Sequence, residues 1–311
     1  MRVVSFFSGI GGLDKGFEDA GYSVIWANDF DKYAVETYKA NYENEIVLGD
    51  INEIQLESIP DAEVLIGGFP CHPFSMMGEQ KGFEDARGTL FFRIAEIIKD
   101  KIEKGKKPKA VILENVKALR THDQGRTFAT IKRILEDDLG YKVYDDILNS
   151  AEYGVPQTRN RTYIVCFANE NAEFTFPEKE KLDRTLQDIL ETDVDQKYFL
   201  SDKILPTILS NGTGGYKGKS EIDLKIARPL CATMAKMHRA CQDNYVTQKG
   251  RVRRLTPREC ARLQGFDDNF VIPVSDCQAY KQFGNAVTVN VSRAVAEAVR
   301  TSLQNLGEWS D

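Results

Sequence analysis

The stretch VVSFFSGIGGLDKGFEDAGYSVIWAND (3–29) decides the fold. VVSFF (3–7) reads as a buried strand, SGIGG closes a tight turn, and Leu13, Phe17 and Ala20 then share one helix face. A second strand, YSVIWA (22–27), runs on to Asp29, and a third, EIVL (45–48), runs on to Asp50. Further outward come AEVLIGG (62–68), a helix marked by Leu90, Ile94, Ile97 and Lys101, and KAVILE (109–114). A helix around Phe128, Ile131 and Leu135 then leads to YKVYDDIL (141–148) and TYIVCF (162–167). Apolar strands alternating with amphipathic helices predict an α/β domain, a doubly wound, mostly parallel sheet covered on both faces.

Beyond residue 170 the texture changes. Residues 171–256 are polar and include the glycine-rich SNGTGGYKGKS (210–220). TPRE (256–259) then starts a helix, with Thr256 as cap, Pro257 in the first turn and Glu259 closing a capping box. Gly265 stops that helix. Val291, Ala294, Val295, Ala298, Val299 and Leu303 mark a terminal helix whose apolar stripe needs the sheet as partner. The expected division is a large domain over 1–188 completed by 285–311, a smaller domain over 189–256, and a hinge over 257–284.

The chain has 311 residues, 42% hydrophobic and 28% charged. That balance excludes disorder, collagen-like repeats and coiled coil, and no apolar run approaches the ~20 residues of a membrane span. Only Arg2 precedes the first apolar residues and the glycine turn arrives by Gly9, so the start reads as a strand, not a signal peptide. Six cysteines (Cys71, Cys166, Cys231, Cys241, Cys260, Cys277) are scattered without a C-x-x-C pair, beside three histidines. No metal site or disulfide framework is expected, and a cytoplasmic setting follows.

The glycine turn between strand and helix lets backbone amides approach a ligand, although a bare strand-to-helix connection has the same pattern. Its spacing is G-x-G-G, with Asp14 where a dinucleotide fingerprint has its third glycine. Asp29 lies 20 residues beyond Gly9, placed for ribose hydroxyls. In GGFPCHPFS (67–75), Cys71 stands between two prolines just past a strand end, as either a nucleophile or a structural thiol. Glu114 follows four apolar residues, where desolvation would raise its pKa and let it donate a proton; a paired structural acid is the alternative. QTRNR (157–161) offers Arg159 and Arg161 on one side of the chain, for carbonyl or phosphate oxygens or for solvent.

FSGIGG (7–12), GGFPCHPFS, ENV (114–116), QTRNR, RRLTPRECARLQGF (253–266) and QFGNAVTVNV (282–291) occur in the order found in the cytosine-5 DNA methyltransferases. The resemblance is in particular to the compact bacterial HhaI-type enzymes of restriction-modification systems. It covers roughly 1–170 and 250–305, and GEQKGFEDARGTLFF (78–92) is similar to their mobile catalytic loop. It implies a Rossmann-like domain for S-adenosylmethionine, held by Phe7, Gly9, Ile10, Gly11, Gly12, Asp29, Phe30, Asp50, Ile51, Pro70, Leu90, Asn285 and Val287. Asp29 would take the ribose and Asp50 the adenine amino group.

By the same resemblance Cys71 is the nucleophile that adds to cytosine, and Glu114 contacts N3 and the exocyclic amine. Arg161 supports O2 and the carboxylate, with Arg159 beside it. The family usually has glutamine where this chain has His72, a departure within the loop that carries Cys71. The tRNA-modifying members share the core but carry a Cys-Phe-Thr stretch absent here. A catalytically dead DNA-binding regulator is disfavoured by intact Cys71, Glu114 and Arg161.

The net charge of −6 conceals two regions of opposite sign. Residues 203–262 hold 13 lysines and arginines against Glu221, Asp223, Asp243 and Glu259, a net +9, which leaves −15 elsewhere. Such a confined excess is an electrostatic footprint for double-stranded DNA. Arg251, Arg253 and Arg254, with Lys217 and Lys219, are expected phosphate contacts. MAKMHRACQDNY (234–245) offers Lys236, His238 and Arg239 to bases. The resemblance adds Thr233 as a recognition-loop threonine and Ser75 and Arg87 as further DNA contacts. A monomer is expected, with a cognate endonuclease a possible companion in the same system.

Overall fold

Period-two alternation of apolar residues builds the central sheet. In β1 (Arg2–Phe6), Val3 packs on one face while Val4 and Phe6 pack on the other. In β5 (Ala110–Val116), Ala110 and Ile112 face one way, Val111 and Leu113 the other. The computed structural model describes residues 1–70, 90–210, 220–236 and 242–309. β2 (Ser23–Asp29), β3 (Glu45–Leu48), β4 (Val64–Gly68), β6 (Lys142–Asn149) and β7 (Asn160–Phe167) complete a seven-stranded sheet. Its order is β3-β2-β1-β4-β5-β7-β6, the doubly wound, mostly parallel arrangement expected.

β7 alone runs antiparallel to its neighbours, β5 and β6. The alternating pattern gave no hint of this reversal; loop length explains it. About ten residues join β6 to β7, too few for the crossover that a parallel pair requires.

α1 (Gly12–Asp19) and the terminal α8 (Val289–Asn305) cover one face. Leu13, Phe17, Val291, Val295, Val299 and Leu303 share a core with Val3 and Ile112, so the terminal stripe finds the sheet. α3 (Leu90–Glu103) and α4 (Arg126–Arg133) cover the opposite face through Phe91, Ile94, Ile98 and Ile131. Lys101 lies on the buried side of α3, where its ammonium donates to Ile59 O and to Asp61. α2 (Lys32–Lys39), capped by the Asp31 side chain, flanks β2 and β3.

A separate core joins Leu186, Leu230, Val246, Cys260, Leu263 and Phe283. The stretch 257–284 contributes to it through α6 (Pro257–Leu263) and α7 (Asp276–Asn285); the short α5 (Leu205–Leu209) lies outside it. The capping box at Thr256 and Glu259 forms as read, and Gly265 follows the end of α6 with φ 80°. β8 (Tyr245–Gln248) and β9 (Arg251–Arg254) make an antiparallel hairpin. Its two-residue tip has positive φ at both Lys249 and Gly250, the geometry that matches strand twist.

Candidate active site

The carboxyl ends of β1, β2, β4 and β5 open on one cleft of about 670 Å³. The glycine turn is shaped by positive φ at Phe7, Gly9 and Gly11. Gly9 N donates to Asp29 Oδ2 at 2.9 Å, and Asp31 N donates to Oδ1 at 2.8 Å. A carboxylate has about four acceptor positions, so Asp29 keeps lone pairs for a ligand. Burial raises its pKa, and the backbone donors only partly oppose that shift. A side chain at Gly9 would meet nothing within 4 Å, so the space beside the turn is open.

Gly11 and Gly12 do not line the cleft. A Cβ on Gly11 would lie 2.5 Å from the Tyr42 ring, and one on Gly12 would lie 2.2 Å from Val287 O. Glycine at these two positions therefore permits close packing behind the turn. Asp14, the departure from the dinucleotide spacing, is fully buried and accepts from Ser5 Oγ and Tyr38 OH, both at 2.7 Å. Burial pushes its pKa up to about 6, against the pull of those two hydroxyls.

Phe7, Ile10, Phe30, Asp50, Ile51, Pro70, Leu90, Asn285 and Val287 all line the same cleft. Phe30 is 69% exposed, an aromatic face held in the open at the rim. Asp50 is also exposed and accepts from the backbone and side-chain nitrogens of Asn52. Lys281, which sequence reasoning passed over, lines the cleft and pairs with Asp31.

At the far end of the cleft Glu114 is buried and receives Arg161 Nε at 3.0 Å from its Oε1. The antiparallel register places Arg161 opposite Val116, which brings the two side chains together. Burial raises the Glu114 pKa; the charges of Arg161 and then Arg159 draw it back only in part. A Cβ at Gly68 would sit 3.3 Å from Glu114 Oε2, so glycine leaves room for the carboxylate. Asn115 Nδ2 donates to Phe69 O at 2.8 Å, fixing the chain two residues before Cys71. Cys71, Ser75 and Arg87 lie outside the described residues, as do Lys217, Lys219, His238 and Arg239.

Arg159 lines the same cleft as Glu114 and Arg161. It is fully buried, and its terminal nitrogens donate to Leu230 O (2.9 Å), Gly284 O (3.1 Å) and Ala286 O (2.8 Å). Burial and the neighbouring Arg161 lower its pKa to about 9. Those bonds fix the guanidinium in the wall of the cleft beside Arg161, with its Nε given no hydrogen-bond partner by the described residues.

Arg253 requires a correction. Its side chain is 0% exposed and forms a two-pronged pair with Glu259, at 2.7 and 2.8 Å. Nε donates to Gln248 Oε1 and Nη1 also to Arg254 O, and burial keeps the side chain from a DNA phosphate. Arg251 is exposed, lies over the Phe199 ring and donates to Gln196. Arg254 covers Tyr280 and donates to Met234 O. Thr233 and Lys236 are exposed on the adjoining segment.

A seven-stranded sheet with one reversed strand, carrying a glycine turn and strand-end acids on one cleft, defines an α/β Rossmann-like methyltransferase. The chain belongs to the C-5 cytosine-specific DNA methylases, whose family model matches residues 1–301. It is a DNA (cytosine-5) methyltransferase. It is 41% identical to the type II methyltransferase M.NlaX of Neisseria lactamica, over 99% of either chain. Identity to M.SsoII of Shigella sonnei is 45%, over 98% of this chain and 81% of that protein. Identity to M.HhaI of Haemophilus parahaemolyticus is 37%, over 97% and 95%. In fold the chain is similar to the S. pombe Dnmt2 methyltransferase, with a TM-score of 0.78 at 20% identity, covering 98% of this chain and 99% of that one.

Proposed function

We propose that the protein methylates carbon 5 of a flipped-out cytosine within a specific duplex sequence, using S-adenosylmethionine and a covalent bond from Cys71. The observation that carries this reading is the single cleft joining the glycine turn to the Glu114–Arg161 pair. The cofactor fits the residues present: free lone pairs on Asp29, the exposed Phe30 ring, open space beside Gly9 and the Asp50 carboxylate at the rim. When bound, S-adenosylmethionine supplies an electrophilic methyl group on a positively charged sulfur.

Carbon 5 of cytosine is a poor nucleophile until the ring is made enamine-like. Cys71 thiolate adds at carbon 6, and Glu114 stabilises the charge that gathers at N3. Arg161 holds Glu114 in place and offers its remaining donors to O2. Once carbon 5 carries the methyl group, its proton passes to water, the ring double bond re-forms, and Cys71 leaves as thiolate. Carbon 6 is out of reach in a stacked duplex, so the base leaves the helix at a cost of a few kcal/mol.

Glu114→Gln is expected to lower kcat by about 10²–10⁴-fold while leaving cofactor affinity nearly unchanged. The raised pKa of Glu114 sets the pH dependence. The wild type holds its proton at low pH and loses it as the pH rises, so the ratio of wild-type to variant rates should narrow upward in pH. A ratio constant across pH would remove proton donation from the role of Glu114.

The basic segment 203–262 faces the duplex in this reading, with Thr233 and Lys236 toward bases and Arg251 toward phosphate. Arg251→Gln should weaken binding on every sequence and flatten the dependence of log K on log salt by about 1. Loss confined to one sequence would show that Arg251 reads a base. A bacterial cytoplasmic setting, a monomer and a cognate endonuclease belong to the same reading. Among the described residues no helix is long and apolar enough to cross a membrane.

The deciding experiment offers labelled S-adenosylmethionine with duplexes of varied sequence, single strands and tRNA. Label at carbon 5 of one cytosine in one duplex context supports the reading. Label in tRNA alone would replace it with RNA modification, and no label in any nucleic acid would sink it.

A further inference from the structure

The backbone of Leu230 is gripped by two side chains of the QTRNR segment. Gln157 Oε1 accepts from Leu230 N at 2.8 Å, and Arg159 Nη1 donates to Leu230 O at 2.9 Å. The chain before it is held as well: Thr158 N donates to Ala227 O, and Ala227 N donates to Pro156 O. Segment 227–230, which leads into Thr233 and Lys236, is thus moored to the loop before β7.

The other ends of the same two side chains hold the opposite wall. Arg159 Nη2 donates to Gly284 O and Ala286 O, on either side of Asn285. Gln157 Nε2 donates to Leu263 O, and the next residue, Gln264, donates to Phe283 O while accepting from Thr288 Oγ1. Gly284 closes the contact: a Cβ there would lie 2.2 Å from Ala232 N, so the end of α7 rests directly on the backbone of residues 231–232. Gln157, Arg159 and Gln264 are all buried. Groups that lost these partners would have no water to replace them, so neither wall can shift without the other.

We propose that Gln157 and Arg159 form a junction through which segment 230–236 and the rim 284–287 settle as one unit, so that bound duplex and bound cofactor each strengthen the other's binding. The inference rests on the functional reading above, which places the duplex on the first segment and the cofactor on the second. Arg159 is then a positioning residue. Its planar fork is what allows one side chain to serve three carbonyls in two segments.

The test is a binding cycle on the full chain with S-adenosylhomocysteine, which cannot react, and a duplex that the wild type methylates. In the wild type each ligand should tighten the other by the same factor, about tenfold or more, since coupling is reciprocal. Arg159→Lys keeps the charge and loses the fork. It should bring the factor below about twofold while each ligand alone binds within about threefold of wild type, a split that general loosening of the fold would not give. A variant that keeps the wild-type factor overturns the proposal.

Amide exchange on the wild type tests it without any variant. S-adenosylhomocysteine alone should slow exchange at residues 231–236, and unchanged exchange there would overturn it. If both ligands bind but independently, the junction fails and the functional reading stands. If S-adenosylhomocysteine does not bind, or no duplex is methylated, the functional reading fails and takes the junction with it.

Discussion

Cys71→Ser is expected to abolish methyl transfer, by about 10⁴-fold or more in kcat, the scale seen when a covalent nucleophile is removed. Thiolate is already a few per cent of a free cysteine at neutral pH, and positive charge nearby raises that share. Arg161, paired to Glu114 at 3.0 Å, supplies such charge at the end of the cleft. A serine hydroxyl is ionised far less and is a weaker nucleophile toward carbon 6. Binding should survive, because Phe69 remains tied to Asn115 and the glycine turn is untouched. The measurement is labelled transfer to duplex beside the affinity for S-adenosylhomocysteine. A serine variant within tenfold of wild type would exclude the covalent route. A duplex carrying 5-fluorocytosine gives a positive form of the same test. With S-adenosylmethionine present, carbon 5 would bear methyl and fluorine with no proton to lose, so the wild type should remain bonded to that DNA and the serine variant should not.

Arg253→Ala should cost about 3–5 kcal/mol of stability, because it leaves the Glu259 carboxylate buried without its cation. Glu259 has other duties that the loss would disturb. It accepts from Thr256 N, closing the cap of α6, and from Glu191 N across the smaller core. Urea unfolding of wild type and variant measures the change, and Arg253→Lys should recover part of it through a single contact. A variant as stable as wild type yet weaker on DNA would return Arg253 to the phosphate role first read from RVRR. That pairing also enters the electrostatic account. The pairs Arg253–Glu259 and Arg228–Glu221 lie within the +9 already counted for 203–262, and Arg262 is offset from outside it by Asp268. In the proposed reading, exposed cations such as Lys236 and Arg251 carry the field that reaches DNA.

Much of the site was legible before any coordinates. Strand ends locate acids, and a doubly wound sheet gathers its strand ends on one edge. Asp29, Asp50 and Glu114 could therefore be assigned to a common cleft from local patterns alone, and the structure brings all three to it. The capping box at Thr256 was legible for the same reason, since every partner lies within four residues. Asp14 was visible as a departure from a glycine pattern, but not as a buried acceptor for Tyr38, which stands 24 positions away.

What the residues alone determined were the periodicities, the turn and cap chemistry, and the order of the motifs, all properties of neighbours along the chain. Tertiary structure decided which arginines face solvent and which hold the protein together. Arg159 finds its carbonyl partners 71, 125 and 127 positions away. Arg253 is buried by the fold of the small lobe around it. A guanidinium serves a phosphate, a carbonyl or a carboxylate equally well by its chemistry. Only the packing of distant segments, and the water it excludes, selects among them.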